Sequence, residues 1–277
     1  QHESYTTHKQ HEKDVVKFQS ELAKHNDTTK AIDNTFATPY LCRPLEWGAD
    51  IVVHSATKFM GGHGTSIGGV VVESGEFDWS NGRFDVIAEP SPAYHGLKFH
   101  ETFGTFGYLM KLRSETLRDL GACMSPFNAF LLAQGIETLP LRMRQHVSNA
   151  ETVAQYLADS PQIEAVHYAG LPGSRYAELV KKYLPRGAGA VFCFDLPGGR
   201  EQGVKFIEHL NLFSHLANVG DTRSLILHPA STTHRQLTED QQIAAGAGPD
   251  VVRISVGIET VEDIIADLDQ ALRGVRD

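Results

Sequence analysis

The sequence predicts an α/β protein. Three observations carry the prediction: short apolar runs of strand length, intervening stretches with helical apolar spacing, and Gly or Pro punctuation where the two meet. The composition agrees. Apolar residues make up 41% and charged residues 21% of 277, ordinary for a globular chain long enough to bury a sizeable core in one or two domains.

Taken in order, residues 1–30 form a divergent polar segment. Val15, Val16, Phe18 and Leu22 have the spacing of one short amphipathic helix. His8 and His11 fit one helical turn and could ligate a metal, but their polar surroundings favour a solvated tail, and no metal is expected. From Ala31 the pattern alternates. Ala31-Ile32 is an apolar stub, Asp50 to His54 a strand, and Ile67 to Val72 another, entered through Gly68-Gly69. Gly104 to Leu120 reads as one helix stopped by Gly121, and Ser125-Pro126 opens the next. A long helix is expected from about Pro140 to Leu157, with apolar positions at Leu141, Val147, Ala150, Val153, Ala154 and Leu157. Further strands are expected at Ile163–His167, Ala190–Leu196, Leu225–His228 and Val251–Val256. Further helices are expected at Glu178–Leu184, Gln202–Leu210 and Val261–Leu272. Thr260-Val-Glu-Asp263 has the look of a capping box for the last of them. A domain boundary is placed near residue 140.

The formal net charge of −9 argues against a nucleic-acid or anionic-membrane partner, since both require a basic face. No apolar run approaches a membrane span, and the polar N-terminus lacks a signal core. Three cysteines, Cys42, Cys123 and Cys193, suit a reducing cytoplasm better than a disulfide framework.

The chemistry concentrates in Asp33-Asn-Thr-Phe-Ala-Thr-Pro39 and Ser55-Ala-Thr-Lys58-Phe-Met-Gly-Gly-His-Gly64. Lys58 follows an apolar strand and precedes a Gly-rich turn, so its amine can reach a cleft where desolvation lowers its pKa. On position alone a surface lysine at a strand end is easily the stronger reading, because most lysines are exposed. Asp33 ends a strand 25 residues earlier, a gap that accommodates a crossover to a parallel neighbour. Ligands of open α/β sheets collect at such strand ends. A buried aspartate there would keep a pyridinium nitrogen protonated, whereas an Asp-Asn turn is the plain alternative. Ser55 and Thr57 offer hydroxyls to a phosphate or cap a turn. His54 and His63 flank the stretch as local packing or hydrogen-bonding groups. Arg253, in an apolar strand, must face a cleft or a carboxylate or else sit at a solvated edge; a bidentate clamp on a substrate α-carboxylate would satisfy it.

Together these segments resemble the Cys/Met-metabolism pyridoxal-phosphate (PLP) enzymes. Pro90 to Leu97, Leu216 to His234 and Val252 to Glu259 resemble the O-acetylhomoserine sulfhydrylase branch of that family. The resemblance runs from about Ala31 to the C-terminus. It implies the aspartate aminotransferase-like fold type I of PLP-dependent transferases, with residues 31–139 as the remaining part of a PLP-binding large domain and 140–277 as a C-terminal small domain. It implies that Lys58 is the Schiff-base lysine and Asp33 the pyridine-nitrogen partner. Ser55 and Thr57 would be phosphate ligands, Arg253 the carboxylate clamp, and Asn218 a neighbour of both substrate carboxylate and lysine. The implied reaction is γ-replacement on O-acetylhomoserine with sulfide or a thiol, giving homocysteine or methionine in a cytoplasmic homo-oligomer, dimer or tetramer. A C–S lyase of the same family is the alternative enzymatic reading. Family members also carry a Gly-containing phosphate loop, an aromatic ring stacked on PLP and a Tyr/Arg pair, none of which is found in residues 1–30. An incomplete cofactor domain with open sheet edges is therefore expected, and a shortened non-catalytic remnant is the reading from outside enzymology.

Overall fold

The computed structural model describes residues 29–275; the helix expected around Val15–Leu22 and the His8/His11 pair lie outside them. Two sheets are present. The first has the order β1-β2-β3, from Ala31–Asp33, Ile51–Ser55 and Gly69–Glu73. β1 and β2 run parallel, with Ala31 opposite Ile51 and Asp33 opposite Val53, and β3 returns antiparallel. The crossover between β1 and β2 is helical but built from single turns, Thr38–Leu41 and Pro44–Trp47. β1 is an outer strand whose Ala31 and Asp33 are exposed, so its far edge has no ladder partner among the described residues.

The second sheet has the order β4-β5-β8-β7-β6. Its strands are β4 Ala165–His167, β5 Val191–Asp195, β6 Ser214–His215, β7 Leu225–Leu227 and β8 Val251–Ser255. β8 is central and antiparallel to both β5 and β7. The helices around it are α1 Pro126–Glu137, α2 Leu139–Ala158, α3 Ala177–Tyr183, α4 Gly199–His209, α5 Glu239–Ala244 and α6 Val261–Gly274.

One core joins both sheets. Phe59, from the turn after β2, lies in the same buried cluster as Met143 and Val147 of α2, Phe192 of β5, Ile254 of β8 and Leu268 of α6. Each such side chain contributes roughly 1.5–3 kcal/mol on burial. A smaller aromatic cluster gathers Ile51, Trp79, Ile87 and Phe99; Trp79 stacks on Tyr108 at 5.0 Å and donates to Glu73 Oε1 at 2.7 Å.

Several expectations are corrected. The helix expected over 104–120 is present but unevenly wound, ending α-helical at Arg118–Leu120. It begins as a 3-10 turn at Gly104–Phe106, is α-helical over Gly107–Lys111, and is wound as a π-helix over Leu112–Leu117. Gly121 does stop it, in the left-handed conformation at φ 69°. Ser125 caps α1 as its sequence suggests, accepting from Asn128 N at 3.1 Å ahead of Pro126. The capping box at Thr260 does not form; Asp263 N bonds instead to Thr260 O at 3.0 Å. An aspartate side chain is one methylene shorter than the Glu or Gln the motif needs. The complete box is Thr238 with Gln241 at the start of α5. Leu141, assigned to the apolar face of the long helix, is exposed; that face instead carries the polar residues Arg142, His146 and Asn149 among its apolar ones.

Candidate active site around Lys58

Side chains alternate along a strand, so Asp33, Val53 and Ser55 share one face of the first sheet while His54 occupies the other. Asp33 and Val53 are exposed and Ser55 half-buried, whereas His54 is buried. Asp33 therefore stands at the open carboxyl end of β1 and is not buried, as had been expected of it. The outer position of β1 explains this, since no described strand covers its free side.

Asp33 is nevertheless fixed. Its Oδ1 accepts from Thr35 N at 2.9 Å and from the Thr35 hydroxyl, an Asx-turn arrangement. Thr35 Oγ1 in turn accepts from Ser55 N at 2.8 Å. The carboxylate is thus tied to the first residue of the turn that carries Lys58. Thr35 was not singled out in the sequence; the Asp-x-Thr spacing is the signal that would have found it.

That turn is wound by Lys58 N to Ser55 O at 3.2 Å and Gly62 N to Lys58 O at 2.7 Å. Lys58 projects from it toward the second sheet, and its amine donates to Asn218 Oδ1. Burial is the larger reason its pKa falls below the ordinary lysine value, and the Arg253 guanidinium is the second. Arg253 lies mid-strand in β8 between Cys193 and Leu227. It donates from Nη2 to Asn218 O at 3.4 Å, and burial lowers its pKa. No carboxylate hydrogen-bonds to it among the described residues, so most of its donor fork is open to a ligand. Asn218 thereby touches the lysine through its side chain and the arginine through its backbone. The loop that carries it is pressed against the lysine turn: Thr222 N donates to Gly62 O at 2.8 Å, and a Cβ at Gly220 would lie 2.5 Å from Phe59 N.

Ser55 has no side-chain hydrogen bond among the described residues. The Thr57 hydroxyl is turned to Gly68, accepting from its N–H at 3.0 Å and facing its carbonyl at 3.3 Å. His63 faces Gly61 O at 2.7 Å. Asp33 raises the pKa of His54, but burial outweighs it and the net shift is downward.

Beneath the turn lies His146, fully buried. Its Nδ1 donates to Val256 O at 2.7 Å and its ring meets Phe59 edge-on at 5.1 Å. Burial pushes its pKa from 6.5 down to about 4. The unfolded chain then holds this proton more tightly than the folded one. The resulting stability is complete above pH 6.5 and is lost as pH falls from 6.5 toward 4, by about 3 kcal/mol. Urea unfolding at pH 7.5 and 4.5 should show that loss, and a His146→Gln variant should flatten that part of the profile; equal slopes in both chains would contradict it.

The donor set is chemically suited to PLP: a half-buried amine of lowered pKa, a carboxylate and a hydroxyl on the same open sheet face, and, one amide away, a guanidinium with no carboxylate bonded to it among the described residues. The arrangement defines a class of protein, a mixed α/β framework with an amine-centred polar site where two sheets meet. The chain belongs to the Cys/Met metabolism PLP-dependent enzyme family, whose sequence profile matches residues 2–273, starting upstream of Ala31. Among curated relatives, it is 52% identical over 265 residues to an O-acetyl-L-homoserine sulfhydrylase of Leptospira meyeri, covering 92% of this chain and 60% of the relative. It is 51% identical to a homocysteine synthase of Schizosaccharomyces pombe, covering 91% and 60%. A crystal structure of a protein assigned as an O-acetylhomoserine (thiol)-lyase from Campylobacter jejuni, which carries a pyridoxyl-lysine, superposes with a TM-score of 0.86 at 38% identity, covering 94% of this chain and 62% of that one. The chain thus spans about three-fifths of the length of the relatives it matches.

Proposed function

We propose that this chain carries the lysine-bearing part of a PLP-dependent enzyme that replaces the γ-acetoxy group of O-acetylhomoserine with sulfide or a thiol, giving homocysteine or methionine. The observation that carries the reading is the convergence of Lys58, Asn218 and Arg253 at one half-buried point, in a chain about half identical to sulfhydrylases and homocysteine synthases. Bound there, PLP would supply an aldehyde for the amine and an electron-withdrawing ring for a developing negative charge.

The residues divide the work. With PLP bound, Lys58 would hold it covalently, and its amine, once freed by the substrate amine, would take the Cα proton. A lowered pKa keeps a larger share of that amine unprotonated near neutral pH. Arg253 grips the α-carboxylate with its planar fork and so orients the Cα–H bond toward Lys58. Asn218 holds the lysine amine until it is needed. Asp33 would hold the ring nitrogen and keep it protonated, and Ser55 would donate to the phosphate. Thr57 joins Ser55 by exchanging its bond to Gly68 O for one to a phosphate oxygen. Loss of a second proton, at Cβ, would let acetate leave from Cγ; the sulfur nucleophile would add at that carbon, and return of protons to Cβ and Cα would complete the product.

Asp33→Asn should retain PLP on Lys58 but lower kcat about 10- to 1000-fold, because an adjacent carboxylate shifts a partner's pKa by about 1–3 units; unchanged kcat would remove Asp33 from its role. Product analysis tests the reaction itself. O-acetylhomoserine with sulfide should yield homocysteine and acetate in equal amounts, and release of α-ketobutyrate without added sulfide would mean elimination instead.

We place the protein in the cytoplasm as a homo-oligomer. Three free cysteines agree with a reducing compartment, and no described helix is long and apolar enough to cross a membrane. Phe106, Leu120, Phe127 and Phe130 are exposed, large apolar side chains that a subunit contact would cover.

A further inference from the structure

Buried polar side chains are uncommon on a core-facing helix, and α2 carries three at i, i+4 and i+7. Arg142, His146 and Asn149 are 6%, 0% and 1% exposed, so each must find its partners inside the protein. Arg142 donates to Phe59 O at 2.7 Å and Met60 O at 3.0 Å, the two carbonyls directly after Lys58, and also to Gly135 O at 2.7 Å and Thr138 Oγ1 at 3.1 Å. His146 donates to Val256 O at 2.7 Å. Asn149 donates to Gly257 O at 3.1 Å and Glu259 O at 2.8 Å. One end of the stripe therefore grips the lysine turn and the other grips the exit of β8, the strand that presents Arg253.

Among the described residues no carboxylate hydrogen-bonds to Arg142, so its bonds there do not neutralise an acid. Its donors are spent on three backbone carbonyls and the Thr138 hydroxyl, and the surrounding backbone is cut to fit: a Cβ at Gly62 would lie 2.4 Å from Arg142 Nη1, and Gly62 sits at φ 76°, where glycine is favoured. Seven residues of helix span about 10 Å, a rigid rod beside the main site.

We propose that Arg142, His146 and Asn149 are positioning residues that together fix the separation between the Lys58 amine and the Arg253 guanidinium. Their value to catalysis rests on the functional reading above, but the geometric claim can be tested without cofactor. Burial is the larger cause of the lowered Lys58 pKa and the Arg253 charge the second, so, at constant burial, the ionisation of Lys58 reports the separation.

The experiment is site-resolved acetylation of Lys58 against pH, read by peptide mass spectrometry in the full chain without added PLP. Wild type is compared with Arg142→Lys, Arg142→Gln, Arg253→Gln and the Arg142→Gln/Arg253→Gln double variant. Arg253→Gln should raise the Lys58 midpoint toward the ordinary lysine value, and so should Arg142→Gln. Each unit of rise cuts the free amine at neutral pH about tenfold. The double variant should fall short of the sum, because loosening the rod already withdraws the arginine. Arg142→Lys, which keeps the charge and some donors, should lie between Arg142→Gln and wild type. If Arg142→Gln does not fold, the same cycle is run with Arg142→Lys. A Lys58 midpoint unmoved in a folded Arg142 variant, or effects that add fully, would reduce the stripe to a structural strut and overturn the proposal. Failure of the wild-type chain to develop a visible band with PLP would instead count against the functional reading, leaving the Lys58 titration to be judged by itself.

Discussion

Lys58→Ala is expected to abolish covalent retention of PLP and to lower kcat at least about 1000-fold, the upper part of the range for removing a positioned acid–base group. Two roles fall on one amine: attachment of the cofactor before substrate arrives and proton transfer at Cα afterwards. Removing it leaves Asn218 Oδ1 without its donor, but Asn218 is only half-buried and water can replace the lost bond, so the fold should survive. Circular dichroism unchanged from wild type, with the borohydride-stable label absent and turnover lost, is the expected set of results. A Lys58→Ala chain that still converted O-acetylhomoserine at more than a few per cent of the wild-type rate would refute the role of this lysine.

Arg253→Lys is expected to act on binding. A guanidinium grips a carboxylate with two parallel hydrogen bonds, and an ammonium offers a point charge. Loss of one charge-assisted bond costs about 1.5–3 kcal/mol, so KM for the amino-acid substrate should rise about 10- to 100-fold. Arg253→Gln removes the charge as well. It should raise KM further, and it should also shift the pH dependence of kcat upward, because the Arg253 charge helps depress the Lys58 pKa. The two variants thus separate grip from electrostatics. Equal KM for substrate in wild type and Arg253→Lys would remove the clamp from the account.

What was legible in the sequence was what is local. The strand before Lys58, the Gly-rich turn after it, the Ser125-Pro126 helix start and the Gly121 stop all follow from neighbouring residues, and the structure has each of them. The apolar run around Arg253 also identified the arginine as a group in need of a partner. What escaped depends on distance through space. Asp33 was read as a buried aspartate at a ligand-collecting strand end, but β1 is the outer strand among the described residues and leaves it exposed. Arg142, His146 and Asn149 look like ordinary polar interruptions of a helical pattern; only the docking of the lysine turn and the β8 exit on the same helix face shows why they are inside. The capping box expected at Thr260 is absent because the Thr260 side chain makes no cap bond and Asp263 is too short to complete the motif, whereas Thr238 with Gln241 forms one at another helix. β6 and α5 were too short to register as periodic.

The most direct measurement is to mix the purified chain with PLP, reduce with borohydride, digest, and map the modified peptide. The account predicts a yellow protein whose visible band is bleached by the reduction, with the pyridoxyl group on the peptide containing Ser55-Ala-Thr-Lys58 and on no other lysine in comparable yield. A label spread over surface lysines, or absent from Lys58 in folded protein, would contradict it.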